Sequence, residues 1–115
     1  MKKLETEADV KTKVIDTLQA ELPYLRQHYG VTRLAIFGSV ARGEDRSDSD
    51  IDLLVDLSCP LGLDFVDLVF HLEDVLKRPV DLATFDAFNR TAQNPRRKKL
   101  VARVLEDLID VKPAA

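Results

Sequence analysis

Apolar residues first recur with a helical period. From about Thr6 to Tyr29, Val10, Val14, Leu18, Leu22, Leu25 and Tyr29 are spaced by threes and fours and make one stripe. Thr6 is placed to cap that helix, with Asp9 three residues on, and Gly30 to end it. Pro23 lies inside the stripe and predicts a kink, or two helices meeting near residues 21–23. The period then shortens. Leu34-Ala35-Ile36-Phe37 is an apolar run suited to a buried strand, and Gly38-Ser39 breaks it. From Ile51 the residues alternate: Ile51, Leu53, Val55 and Leu57 face one way, Asp50, Asp52, Leu54 and Asp56 the other. A loop with Pro60 and Gly62 leads to a second helical stretch over about 64–77, carrying Phe65, Leu68, Val69, Leu72, Val75 and Leu76. Arg78-Pro79 resets the chain to extended structure, so Val80 to Thr84 reads as a short strand. Residues 86–94 read as irregular or as a short helical turn. Asn94 and Pro95 then open a last helix, with Leu100, Val101, Val104, Leu105, Leu108 and Ile109 on its buried side. The order is α-β-α-β-α-β-α: an α/β (α+β) domain with a small, mixed, mainly three-stranded sheet and helices packed on it.

Composition narrows the class. At 115 residues the chain is one domain, residues 1–115 with a core of about 6–111. Apolar content of 45% and charged content of 32% describe an ordinary soluble protein. A net charge of −3 is a poor match for a nucleic-acid binder that works by neutralising phosphates. One cysteine, Cys59, allows neither an internal disulfide nor a cysteine-built zinc site, and a reducing cytoplasm fits. The start, MKKLETEADV, has two lysines but no apolar stretch behind them, and no run approaches a membrane span, so no signal peptide or membrane attachment is expected.

Charge distribution points to chemistry. Glu44, Asp45, Asp48, Asp50, Asp52 and Asp56 stand against only Arg42 and Arg46 in this stretch. Folding does not call for that much negative charge in one place, whereas a divalent cation does. Asp50 and Asp52 share a strand face and can hold the same ion. Asp81 is costly within an apolar strand unless paired or coordinated, which makes it the third candidate carboxylate; the plain alternative is a strand-edge aspartate in solvent. His71 has no metal-ligand partner at a recognisable spacing and reads as a packing residue. The run Arg96 to Lys99 reads as a solvated face.

Gly38-Ser39, ten residues, then Asp50-Ile51-Asp52 resembles the signature of the DNA polymerase beta-like nucleotidyltransferase superfamily. The longer string GSVARGEDRSDSDIDLLV is similar to the minimal nucleotidyltransferases, the antitoxin halves of two-gene toxin–antitoxin modules. An Asp-x-Asp alone is unspecific; with the glycine-serine turn, the spacing and a later aspartate it is specific. The resemblance implies a nucleotidyltransferase fold and two Mg²⁺ ions (or Mn²⁺) held by Asp50, Asp52 and Asp81, which are both catalytic and metal-binding. ATP would be the substrate, its phosphates cradled at Gly38 and Ser39 with help from Arg42. It further implies AMP transfer to a tyrosine of a HEPN-type RNase toxin, as in a type VII-like module, in the cytoplasm and with no direct nucleic-acid contact. The alternative from the same residues is a non-catalytic antitoxin that neutralises the toxin by binding, with a vestigial or regulatory nucleotide site.

Overall fold

The computed structural model describes residues 10–46 and 48–114. Its elements are α1 (Val10–Tyr29), β1 (Val31–Phe37), α2 (Gly38–Arg42), β2 (Ile51–Leu57), α3 (Asp64–Leu76) and β3 (Val80–Thr84). There follow α4 (Phe85–Ala92), a 3-10 turn (Pro95–Arg97), α5 (Lys98–Asp107) and β4 (Ile109–Asp110). The sheet order is β3-β2-β1-β4. β1 runs antiparallel to β2 and to β4, and β2 runs parallel to β3. The α/β class and the helix–strand alternation are as the sequence predicts. The proposed N-cap at Thr6 lies outside the described residues.

The alternation in β2 divides the core. Ile51, Leu53 and Val55 turn to one face of the sheet and meet Leu18 and Leu25 of α1 and Leu68 and Leu72 of α3, all buried. Leu54 turns the other way, with Ala35 and Phe85, under α4 and α5. Burying large aliphatic side chains contributes roughly 1.5–3 kcal/mol apiece, so the first face holds most of the folding energy. Two polar pairs tie α1 to α3 at its edge: the Tyr29 hydroxyl donates to Asp67 at 2.6 Å, and His71 Nε2 lies 2.7 Å from Glu21. His71 stacks on Tyr24, so it is a packing residue as expected.

Three expectations need correction. The sheet has four strands, because the last helix stops at Asp107 and Ile109–Asp110 pair with β1. The helical spacing Val104–Leu108 carries the sequence pattern one turn too far. Leu108 adopts an extended backbone, and the free edge of β1 supplies partners that more helix could not: Val111 N–H donates to Leu34 O at 2.8 Å. Arg33 grips both oxygens of Asp110, at 2.8 and 3.2 Å, and holds that carboxyl below its ordinary range. Second, of the two alternatives at Pro23, two helices meeting there does not hold: α1 is one helix through Pro23. Proline leaves a carbonyl one turn back without its helical donor, but Leu22 and Leu25, buried on both sides of it, keep the helix on the sheet. Third, residues 85–92 form a true helix, α4, whose start is capped by Thr84 Oγ1 accepting from Ala87 N–H at 3.0 Å. Among the described residues no helix is long and apolar enough to cross a membrane.

Candidate active site

The site is built where β1 gives way to α2. Phe37 ends the strand in extended backbone, and Gly38 turns the chain with a φ of +78°. That conformation favours glycine, and a second constraint coincides with it. A Cβ at Gly38 would run into Oδ2 of Asp52. The missing side chain of the glycine-serine turn is therefore the space that the Asp52 carboxylate occupies. Ser39 follows, half-exposed, in the five-residue helix α2, and Gly43 closes that helix in the left-handed region with its N–H on Val40 O.

Sheet register brings the acids together. Asp52 pairs across the antiparallel ladder with Phe37 and across the parallel ladder with Asp81. Residues in register project from the same face, so Asp52 and Asp81 are neighbours on adjacent strands. Asp50 stands just before β2. Asp52 is half-buried, while Asp50 and Asp81 are exposed, Asp81 on an edge strand. The Asp52 carboxyl is pushed up to about 6, first by burial and then by the charges of Asp81 and Asp50; Arg42 offsets part of this.

This coupling has a consequence for the metal-free protein. The folded state binds a proton at Asp52 more tightly than the unfolded chain does. Between the unfolded value and about 6 it is the folded state that holds the extra proton. The contribution of Asp52 is most favourable at acid pH and is lost as pH rises through about 6. With screening at a half-exposed group, the effect is on the order of 1–2 kcal/mol. Melting curves without metal should show this component disappear in Asp52→Asn.

Arg42 is less free than a phosphate ligand need be. Its Nη1 lies 2.6 Å from Asp107 of α5, and its Nε lies 3.0 Å from Glu44. It joins α2 to α5, and its field reaches Asp52 from there. Arg96, Arg97, Lys98 and Lys99 are exposed. Beyond the carboxylates on the same sheet face, Phe37, Leu54, Ala83, Phe88 and Val104 line an apolar pocket of about 250 Å³ between α4 and α5.

Sequence reading passes over Arg78 as mere punctuation before Pro79. In the fold its guanidinium is largely buried and reaches Asp45 and the carbonyls of Arg46 and Ser49, in the loop that leads to Asp50. The available signal was charge balance: six acids with two nearby cations require a cation from elsewhere.

The donor chemistry fits a hard divalent ion: Asp52 and Asp81 are in register on adjacent strands with Asp50 just before β2, and burial first, then these two charges, raise the Asp52 carboxyl. Among the described residues, no three His, Cys, Asp or Glu side chains converge tightly enough to hold a metal ion as they stand.

Comparison with known proteins agrees with this geometry. The nucleotidyltransferase domain family matches residues 21–111. The protein adenylyltransferase MntA of Thermococcus cleftensis is 44% identical over 66 residues, which is 56% of this chain and 67% of MntA. A solved structure described as a minimal nucleotidyltransferase superposes with a TM-score of 0.60 at 35% identity, covering 83% of this chain and 93% of that one. The fold is shared, at 18% identity and a TM-score of 0.50, with a chain of the tri-AMPylated Shewanella oneidensis HEPN toxin in complex with its MNT antitoxin; the match covers 94% of this chain and 73% of that one. By that family match and that superposition, this chain is a member of the nucleotidyltransferase domain family, of the minimal nucleotidyltransferase kind.

Proposed function

We propose that this nucleotidyltransferase is a Mg²⁺-dependent protein adenylyltransferase, one domain throughout, that moves AMP from ATP to a tyrosine of a HEPN-type RNase toxin and so acts as its antitoxin in the cytoplasm. One observation carries the chemical part: the Asp52 carboxylate, seated against Gly38, feels both Asp50 and Asp81. The name of the Thermococcus relative and the AMPylated toxin bound by a protein of this fold support the acceptor.

Each residue has a task. Asp50 and Asp52 would hold two ions between them, and Asp81 would complete the ion nearer the acceptor. When bound, Mg²⁺ neutralises charge on the phosphates and makes the attacking hydroxyl more acidic. Gly38 lets the chain approach the β- and γ-phosphates, and Ser39 donates its hydroxyl to them. The acceptor oxygen forms a bond to the α-phosphorus while the bond from that phosphorus to the bridging oxygen breaks. Pyrophosphate leaves, and the hydroxyl proton passes to Asp81 and then to water. Positioning and electrostatic stabilisation supply the rate. Transfer adds bulk and negative charge to a toxin surface that must receive RNA phosphates, which blocks it. A net charge of −3 also suits a protein acceptor better than a free nucleic acid.

The test is to incubate the purified protein with ATP, Mg²⁺ and the HEPN-type product of an adjacent gene, then measure intact mass. The expected result is an adenylyl mass on the partner that is absent with Asp50→Asn. Neutralisation of the toxin with no mass change would instead mean an antitoxin that works by direct binding.

A further inference from the structure

We propose that Arg78 is the positioning residue that sets Asp50 for metal binding, an inference that rests on the reading of Asp50, Asp52 and Asp81 as metal ligands. Its guanidinium makes a fork of contacts with one loop. Nη2 donates to Arg46 O at 2.7 Å and to Ser49 O at 2.8 Å; Nε donates to Ser49 O at 3.2 Å; Nη1 donates to Asp45 Oδ2 at 3.1 Å. Ser49 is the residue immediately before Asp50. On the other side of Asp50, Ile51 N–H donates to Pro79 O at 2.9 Å. Two consecutive residues, Arg78 and Pro79, therefore fix the backbone on both sides of Asp50. Asp81 lies only two residues further along the same segment, so one junction sets two of the three carboxylates relative to each other.

The junction is itself tied by hydrogen bonds to the end of α3. Lys77 caps α3 in the left-handed conformation with its N–H on Glu73 O at 2.8 Å, and Val80 N–H donates to the Glu73 side chain at 3.0 Å. The loop is folded around the same point: Arg46 N–H donates to Ser49 Oγ at 2.8 Å, and Ser49 N–H to Arg46 O at 3.0 Å. The Arg78 and Asp45 side chains are only 16% and 10% exposed. A buried ion pair is a poor source of net stability, because desolvation cancels most of the attraction. What a planar five-donor fork supplies is direction, and here three of its four contacts end on loop carbonyls. Asp50 and Asp81 are exposed, so a restraint on the Asp50 backbone lowers the ordering that ion binding must impose.

The experiment titrates Mn²⁺ in the presence of ATP, reading free Mn²⁺ by electron paramagnetic resonance. It compares wild type, Arg78→Met, Arg78→Lys, Asp45→Asn and Asp52→Asn. Arg78→Met should weaken Mn²⁺ binding by about 10–100-fold, as loss of an outer-shell partner does. Turnover at saturating Mn²⁺ should stay within about threefold of wild type, since the ligands remain. Arg78→Lys keeps the charge without the fork and should recover only part of the affinity. In metal-free Arg78→Met, the Ser49 and Ile51 amides should exchange hydrogen faster than in wild type. Wild-type Mn²⁺ affinity in Arg78→Met, or lower turnover at every Mn²⁺ concentration with affinity unchanged, overturns the proposal. If Arg78→Met does not fold, Asp45→Asn, which removes one contact, decides with an expected weakening of about three- to tenfold; no weakening counts against it. Undiminished Mn²⁺ binding in Asp52→Asn would instead show that the ion sits elsewhere, and the amide exchange then decides the loop restraint alone.

Discussion

Replacing Asp50 and Asp52 together by asparagine should lower AMP transfer by on the order of a thousandfold or more and remove the rise in melting temperature that ATP and Mg²⁺ give the wild type. Asparagine keeps the shape of aspartate but not the charge, so the β2 ladder and its buried Ile51 and Leu53 should stand. The metal-free double variant should melt no lower than wild type near neutral pH, and slightly higher where Asp52 is ionised. That follows from the upward shift of Asp52 to about 6: burial and two neighbouring carboxylates make its charge unfavourable until a cation arrives. Asp81 repels the site even after Asp50 is neutralised, so the gain should be larger for Asp52→Asn than for Asp50→Asn. Thermal melts with and without ATP and Mg²⁺, beside an intact-mass assay of the acceptor, separate the two effects. A double variant that keeps the ligand-dependent shift would move the nucleotide site away from this strand.

Much of this was legible in the sequence because β2 writes its own orientation. Apolar residues at 51, 53 and 55 can only face the core, so Asp52 must face away from it. The strand at 80–84 was equally plain, and its parallel register against β2 is what brings Asp81 to Asp52. The gaps come from interactions between distant residues. Nothing near Ile109 announces that Arg33 and the free edge of β1 will claim it as a fourth strand, and the local period argues for helix. Residues 85–92 place Phe85, Phe88 and Ala92 at helical spacing but are too short for that period to stand out in sequence, yet Thr84 caps them and Phe85 is buried beneath the Arg33 guanidinium, which lies 4.1 Å from its ring centre. Arg78 was missed for the same reason. A lone arginine before proline has no pattern, and its role exists only once α3 and β3 deliver it to a loop about thirty residues earlier.

Gly38→Ala should be the most damaging single-methyl change in the protein, with a cause that can be isolated. Two costs add. Gly38 has a φ of +78°, where an L side chain costs roughly 1–2 kcal/mol. The new Cβ would also collide with Oδ2 of Asp52, so the carboxylate must leave its place or the turn must shift. Displacement of Asp52 should abolish Mg²⁺-dependent transfer even while the chain remains folded. The backbone cost alone should lower the melting temperature by several degrees for a domain of this size. A double-mutant cycle separates the two terms. Asp52→Ala removes the atoms that collide, so Gly38→Ala in that background should cost only the backbone term. The difference between the two backgrounds should be about 1 kcal/mol or more, since the residues touch. An equal cost in both backgrounds would mean that the glycine serves backbone conformation alone and that Asp52 does not depend on its missing side chain. Gly43 is the internal control. It has a φ of +73° with nothing within 4 Å of an added Cβ, so Gly43→Ala should show the backbone cost, little loss of activity and no coupling to Asp52.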